Sequence, residues 1–309
     1  MFKNVLWCLL ILGLIDSPLN AQVELEINPI SSLAEKKEAI NYLRFSDNEE
    51  SLQVALVRFK PRSGDKSWFV DLVSAIHVAD KSYYDELNNR FKEYDAVLYE
   101  LVAPEGTKIP FQPAVEKQPK DAAQETGLQR AKNPITFIQT LMTDILGLSF
   151  QMDAIDYTSN HFIHADFSPQ EFAASMEARG ESVFGMIFQL WRTGLAKQLT
   201  TGASSNMDIM QLLMASDKQL ALKRLMAKEF VGSESIFAAF EGAEGSTLVA
   251  ARNQKALKVL KRTLVDKRPQ SVAIFYGAGH MQDFQQRLIA DFDLVPVSIE
   301  WIDAWSLTQ

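Results

Sequence analysis

Four apolar runs, Leu52–Lys60, Trp68–His77, Asp95–Leu101 and Ser271–Tyr276, are rich in β-branched and aromatic residues and predict strands. The first two flank Pro61-Arg62-Ser63-Gly64-Asp65-Lys66, whose composition is that of a hairpin loop, so they are expected to pair. After Trp68–His77 the period changes. Asp80 stands where a helix would be capped, and Tyr83, Tyr84, Leu87 and Phe91 recur at helical spacing before the Asp95–Leu101 run. Strand, helix, strand in that order implies a parallel pair with a right-handed crossover. At the other end of the chain, Ser271–Tyr276 runs into a glycine turn, Gly277-Ala278-Gly279, then a helix over Met281–Ile289 and a strand closing at Glu300.

Between these β-rich ends the pattern is helical. Pro104–Lys120 carries Pro104, Pro110, Pro113 and Pro119 among charges and reads as an exposed excursion. From Pro134 to Glu241 helices are expected, beginning with "PITFIQTLMTDILGLSF". Ser168-Pro169-Gln170-Glu171 is a capping box with proline at the first helical position. Further helices are expected over Ser182–Leu199, Met207–Met226 and Leu248–Leu264, with no return to β structure before Ser271. The fold class is therefore α/β: a central mixed, largely parallel sheet flanked by helices, with a helical insertion at about 104–241 in one domain spanning 22–309. Eight of the ten methionines lie between Met142 and Met226. Packing within the insertion explains them most simply, and a weak membrane or partner contact through Met-rich helices is the alternative.

The first residues follow another logic. Lys3 precedes an apolar run from Val5 to Ile15 of about eleven residues, short for a membrane span of about 20. A signal peptide over 1–21 is expected, with cleavage after Ala21 and export to the periplasm or medium. Cys8 lies inside that run, so the mature chain has no cysteine for a disulfide or a thiolate ligand. Lys3 and Asp16 cancel, leaving the formal charge of −8 unchanged on cleavage. An acidic chain is poorly suited to neutralising phosphates, so nucleic acid is not expected as a partner; a peptide, protein or small-molecule substrate is.

Chemistry appears where polar residues close the strands. His77, Glu100 and His280 all fall at carboxyl ends of strands, the edge at which open α/β sheets bind ligands. Two imidazoles and a carboxylate suit zinc, manganese, cobalt or iron(II), and a helix N-terminus favours a neutral His280. Glu100 reads equally as a ligand or as the general base. His164 and Asp166, in "NHFIHADFS", are offered as contacts to substrate or to the inner residues. A dinucleotide loop at Gly277-Ala278-Gly279, with Glu300 on the ribose, is disfavoured because Gln282 replaces the third glycine.

With these residues in view, the chain resembles the Tiki/TraB/PrgY family, including TraB/GumN-like members. Gly277-Ala278-Gly279-His280 matches one Gly-x-x-His motif, and Ser74-Ala75-Ile76-His77 matches the other with serine for glycine. Glu100 in "VLYELV" and Arg252-Asn253 in "AARNQKAL" match the remaining positions. The resemblance implies an architecture shared with erythromycin-esterase and ChaN-like proteins. It also implies a metal and catalytic set of His77, Glu100 and His280, supported by Arg252 and Asn253. The expected activity is that of an exported metal-dependent hydrolase of the metalloprotease kind, in which activated water attacks a carbonyl, Glu100 assists proton transfer and Arg252 or Tyr276 stabilises the oxyanion. Asp80, close after His77, joins the candidate surroundings. The alternative is a non-catalytic periplasmic protein that binds or sequesters a peptide, haem or a metal in the same cleft.

Overall fold

The structure is a computed structural model and describes residues 40–64, 67–107, 109, 146–181, 210, 214–232 and 246–308. The expected signal peptide, most of the proline-rich excursion, the start of the Pro134 helix and the helix at Ser182–Leu199 lie outside the described residues.

Among the described residues, nine strands and six α-helices frame the site. In chain order they are β1 (Leu43–Phe45), β2 (Ser51–Pro61), β3 (Phe69–Ala75), β4 (Val78–Ala79), α1 (Lys81–Phe91), β5 (Ala96–Tyr99), β6 (Ser149–Phe150), α2 (Gln151–Ala154), β7 (Phe162–His164), α3 (Pro169–Ala178), α4 (Lys218–Gly232), α5 (Arg252–Asp266), β8 (Ser271–Gly277), α6 (Met281–Phe292) and β9 (Leu294–Ser306). A π-helical turn, Thr247–Ala251, leads into α5, and a 3₁₀ turn, Ala278–His280, leads into α6. The main sheet is mixed. Its parallel part runs β3-β8-β5-β7, and β2 joins it antiparallel to β3. β9 pairs along β2 from Ser51 to Pro61, so β1, which pairs Leu52–Val54, shares the other edge of β2 with β3.

Alternation along the parallel strands sorts side chains into two cores. Val73, Ala75, Val97, Tyr99, Ala273 and Phe275 pack with Tyr83, Tyr84, Leu87 and Phe91 of α1. Leu72, Ala96, Leu98, Val272, Ile274 and Tyr276 pack with Ala256, Leu257 and Leu260 of α5 and Met281, Phe284 and Leu288 of α6. Because helices cover both faces, inward and outward positions alike must be apolar, which explains the continuous runs in the sequence. The hairpin and the strand-helix-strand order stand as expected, except that β8 inserts between β3 and β5.

The middle of the chain departs from a wholly helical reading in three places. Gly147 takes φ +66°, a left-handed conformation that stops a helix, and Ser149–Phe150 then pairs with β4 as a short strand. Phe162–His164 is the outer parallel strand beside β5. Ala215, Ser216 and Asp217 are not helical; α4 starts at Lys218, where the Asp217 carboxylate accepts a 2.9 Å bond from the Leu220 N–H and so acts as a cap. The capping box at Ser168 forms as expected, with both reciprocal bonds present.

Candidate active site

β3, β5 and β8 end side by side, and each delivers one of the three predicted residues. His77 follows β3, Glu100 follows β5, and His280 closes the 3₁₀ turn after β8. Glu100 is the centre. Its Oε1 accepts a 2.7 Å bond from Arg252 Nη2 and lies 3.5 Å from His280 Nε2, while its Oε2 accepts from the Gly277 N–H at 2.7 Å. The glycine needed for close approach is Gly277. A Cβ there would stand 3.3 Å from both Glu100 Oε2 and His77 Nε2. The serine that replaces the first motif's glycine, Ser74, is the next-to-last residue of the β3–β8 ladder, opposite Tyr276, where ordinary strand conformation suffices.

Both imidazoles are held by amides. His280 Nδ1 lies 2.6 Å from Asn253 Oδ1, and Asn253 Nδ2 donates to His280 O at 2.9 Å and to Asp283 Oδ2 at 2.8 Å. With both amide hydrogens spent on acceptors, Oδ1 must accept, so His280 carries its hydrogen on Nδ1 and turns a bare Nε2 to Glu100. His280 is buried, and burial pushes its pKa below the usual imidazole value despite the opposing pull of Glu100; it is neutral at pH 7. On the exposed side of the cleft, His77 Nδ1 lies 3.0 Å from Gln151 Oε1.

Arg252 is locked from behind. Asp166, 2% exposed, takes Arg252 Nε at 2.9 Å and Nη2 at 2.5 Å in a two-pronged pair. Burial alone would lower the arginine pKa, but the hydrogen bonds to Asp166 and the charge of Glu100 raise it further. Its Nη1 reaches 3.5 Å from His280 Nε2. Burial alone would also raise Glu100. The positive charges of His280, Arg252 and His77 and the Gly277 N–H outweigh it and hold the carboxyl at about 2. Arg252 and the Gly277 N–H act on Glu100 whatever the charge state of His280. Such a carboxylate is a poor proton acceptor near neutrality, which disfavours Glu100 as the general base.

Three expected contributors have other partners. The Tyr276 hydroxyl donates to Ala165 O at 2.6 Å in a fully buried position, and burial pushes its pKa well up, so its only proton is not free for an oxyanion. Asp80 occupies the helix-cap position without capping. Its carboxylate accepts from Lys223 Nζ at 2.7 and 2.9 Å and from the Ser306 N–H at 2.6 Å, tying α4 and the end of β9 to the start of α1. His164 reaches the correct edge at the end of β7, where its Nε2 lies 2.6 Å from Leu101 O and supports the strand that carries Glu100. Glu300, the discarded ribose partner, pairs with Arg90.

A divalent cation suits this donor set in kind: two neutral-capable imidazoles with Nδ1 tied back to amide oxygens, and one ionised carboxylate. The 3.5 Å between His280 Nε2 and Glu100 Oε1 is a span that two ligands at about 2.1 Å from one ion can bridge. Among the described residues, no three His, Cys, Asp or Glu side chains already surround one point. Arg252 is a cation competing for the same oxygen, and ion binding must displace or share it. Comparison with protein-family models, with curated proteins and with solved structures returned no match.

Gly277→Ala should separate the site from the fold. Its φ of −54° is open to alanine, so stability should change by about 1 kcal/mol or less. The methyl group fills the gap between His77 Nε2 and Glu100 Oε2, and zinc affinity should fall about tenfold, a cost of about 1.4 kcal/mol. An unchanged titration by calorimetry would show that this gap takes no ligand.

Proposed function

We propose that the protein is an exported metal-dependent hydrolase, of the peptidase kind, working at the His77–Glu100–His280 edge. The observation that carries this reading is that two imidazoles some 200 positions apart both have Nδ1 engaged by a buried amide beside one ionised carboxylate. The resemblance to the Tiki/TraB/PrgY family supports the same choice. When bound by His77, His280 and Glu100, zinc, manganese, cobalt or iron(II) supplies Lewis acidity toward a carbonyl oxygen and acidifies water. Glu100 contributes charge and a ligand oxygen, and it holds Arg252 in register. Arg252, fixed by Asp166, offers Nη1 as a preorganised donor to an oxygen that gains negative charge in the transition state. His77, on the solvent side, would hold the ion where water and substrate reach it.

The test is metal content by mass spectrometry on protein purified without chelator, beside the His77→Ala/His280→Ala double variant. Near-stoichiometric metal in the parent and none in the variant is the expected result. Turnover of a peptide library with that metal, abolished by His280→Ala, would complete it. No metal in either protein, even after reconstitution, would overturn the hydrolase reading. It would favour a binding or sequestering protein in which the fixed Arg252 takes an anionic group of a peptide or of haem.

A further inference from the structure

Gln151 belongs to none of the motifs that mark the site, yet it grips His77 twice. Its backbone N–H donates to His77 O at 2.9 Å, and its side-chain Oε1 lies 3.0 Å from His77 Nδ1. The grip is built into local structure, because the short antiparallel ladder of Ala79 with Ser149 and Val78 with Phe150 runs directly up to it. The remaining end of the amide is also placed: Gln151 Nε2 donates to the Tyr157 hydroxyl at 2.9 Å. Gln151 is 3% exposed and Tyr157 7%. A buried amide costs stability unless both ends are paired, and an apolar side chain of that shape would fill the space without the cost. The use of glutamine here therefore points to what its oxygen does for the exposed imidazole.

We infer that Gln151 is the positioning residue for His77, keeping the ring hydrogen on Nδ1 and a bare Nε2 facing Glu100, with Tyr157 taking the other end of the amide. The inference deepens the proposed function and rests on it only for its consequence, ligand or base character at Nε2. The chemistry is that of an outer hydrogen bond choosing a tautomer. As placed, the amide gives its NH₂ end to Tyr157 and its oxygen end to the ring, and an oxygen can only accept. Asn253 holds His280 in the same way from the opposite side of the cleft. The two imidazoles thus share one tautomer, set by residues from segments with no sequence relation to each other.

The experiment reads the tautomer directly. The protein, labelled with ¹⁵N-histidine and freed of metal, is examined by long-range ¹H–¹⁵N correlation at about pH 8.5, above the usual imidazole range. His77 is assigned by loss of its signals in His77→Ala. The expected parent spectrum has His77 protonated on Nδ1. Gln151→Met, similar in shape but without the acceptor, should move His77 wholly or partly to the Nε2–H form and weaken zinc binding by about 10- to 100-fold. Gln151→Glu, which restores an acceptor, should return the Nδ1–H signal. A parent His77 protonated on Nε2, or a tautomer unchanged in Gln151→Met, would overturn the inference; if Gln151→Met does not fold, the parent spectrum decides alone. An Nδ1–H His77 in a protein that binds no zinc and hydrolyses nothing would sink the proposed function and leave the positioning role standing. Zinc binding with an Nε2–H His77 would do the reverse.

Discussion

Arg252→Met should be the most damaging single substitution in the described structure, lowering stability by about 3–5 kcal/mol and melting by on the order of 10 °C. The guanidinium sits between two carboxylates that water barely reaches, with Asp166 side-chain exposure 0% and Glu100 10%. Removing it leaves two buried like charges facing each other. Leaving a buried charge unpaired costs far more than the pair contributes, because each ion has already lost its hydration. The variant's escape is to protonate one carboxylate, so its deficit should shrink as pH falls toward 5. Arg252→Lys should recover only part of the loss, since one ammonium cannot reproduce the two-pronged contact with Asp166. Adding Asp166→Asn to Arg252→Met should cost less than the sum of the two single changes, the signature of a shared pair. Urea denaturation followed by circular dichroism checks all three. A deficit under about 1 kcal/mol for Arg252→Met would show that these charges are hydrated and that the site is not preorganised.

What could be read from the sequence follows from how much surface each element buries. β3, β5 and β8 have helices on both faces, so they appear as unbroken apolar runs, and the residues that close them stood out as His77, Glu100 and His280. β7 has three half-buried residues, too few for a period. Without β7, His164 and Asp166 could not be assigned to the same edge as Glu100. β9 was visible only as far as Glu300, because alternation along its 13 residues is irregular. Arg252 and Asn253 were found through resemblance alone, since nothing in their helical pattern marks them as polar residues facing inward. Gln151 was beyond reach altogether: its partner is 74 positions away, and no spacing rule links a glutamine in a four-residue helix to a strand-end histidine. Asp80 shows the opposite error. It was expected as a helix cap and among the site's surroundings, whereas Lys223, 143 positions away, claims its carboxylate.

The same cluster should make the metal-free protein sensitive to acid in two stages. His280 in the folded state lies below the usual value of 6.5, so from 6.5 downward the unfolded chain takes up a proton that the native site refuses. Stability is therefore complete above 6.5 and begins to fall below it. Glu100 is shifted the same way, from 4.5 to about 2, and its contribution, on the order of 3 kcal/mol, is present above 4.5 and lost as pH falls toward 2. Both slopes have the same sign, and neither group offsets the other. Glu171 is also held at about 2 by Lys255 and the Ser168 cap, but its side chain is 45% exposed and solvent screening discounts it. Urea midpoints in chelator across pH 8 to 3 should trace the two stages, with His280→Gln flattening the upper one and Glu100→Gln the lower. A flat profile from 8 to 5 in the parent would mean that His280 protonates freely in the folded protein. The neutral, bare Nε2 on which ligand binding at this edge depends would then be lost in mild acid.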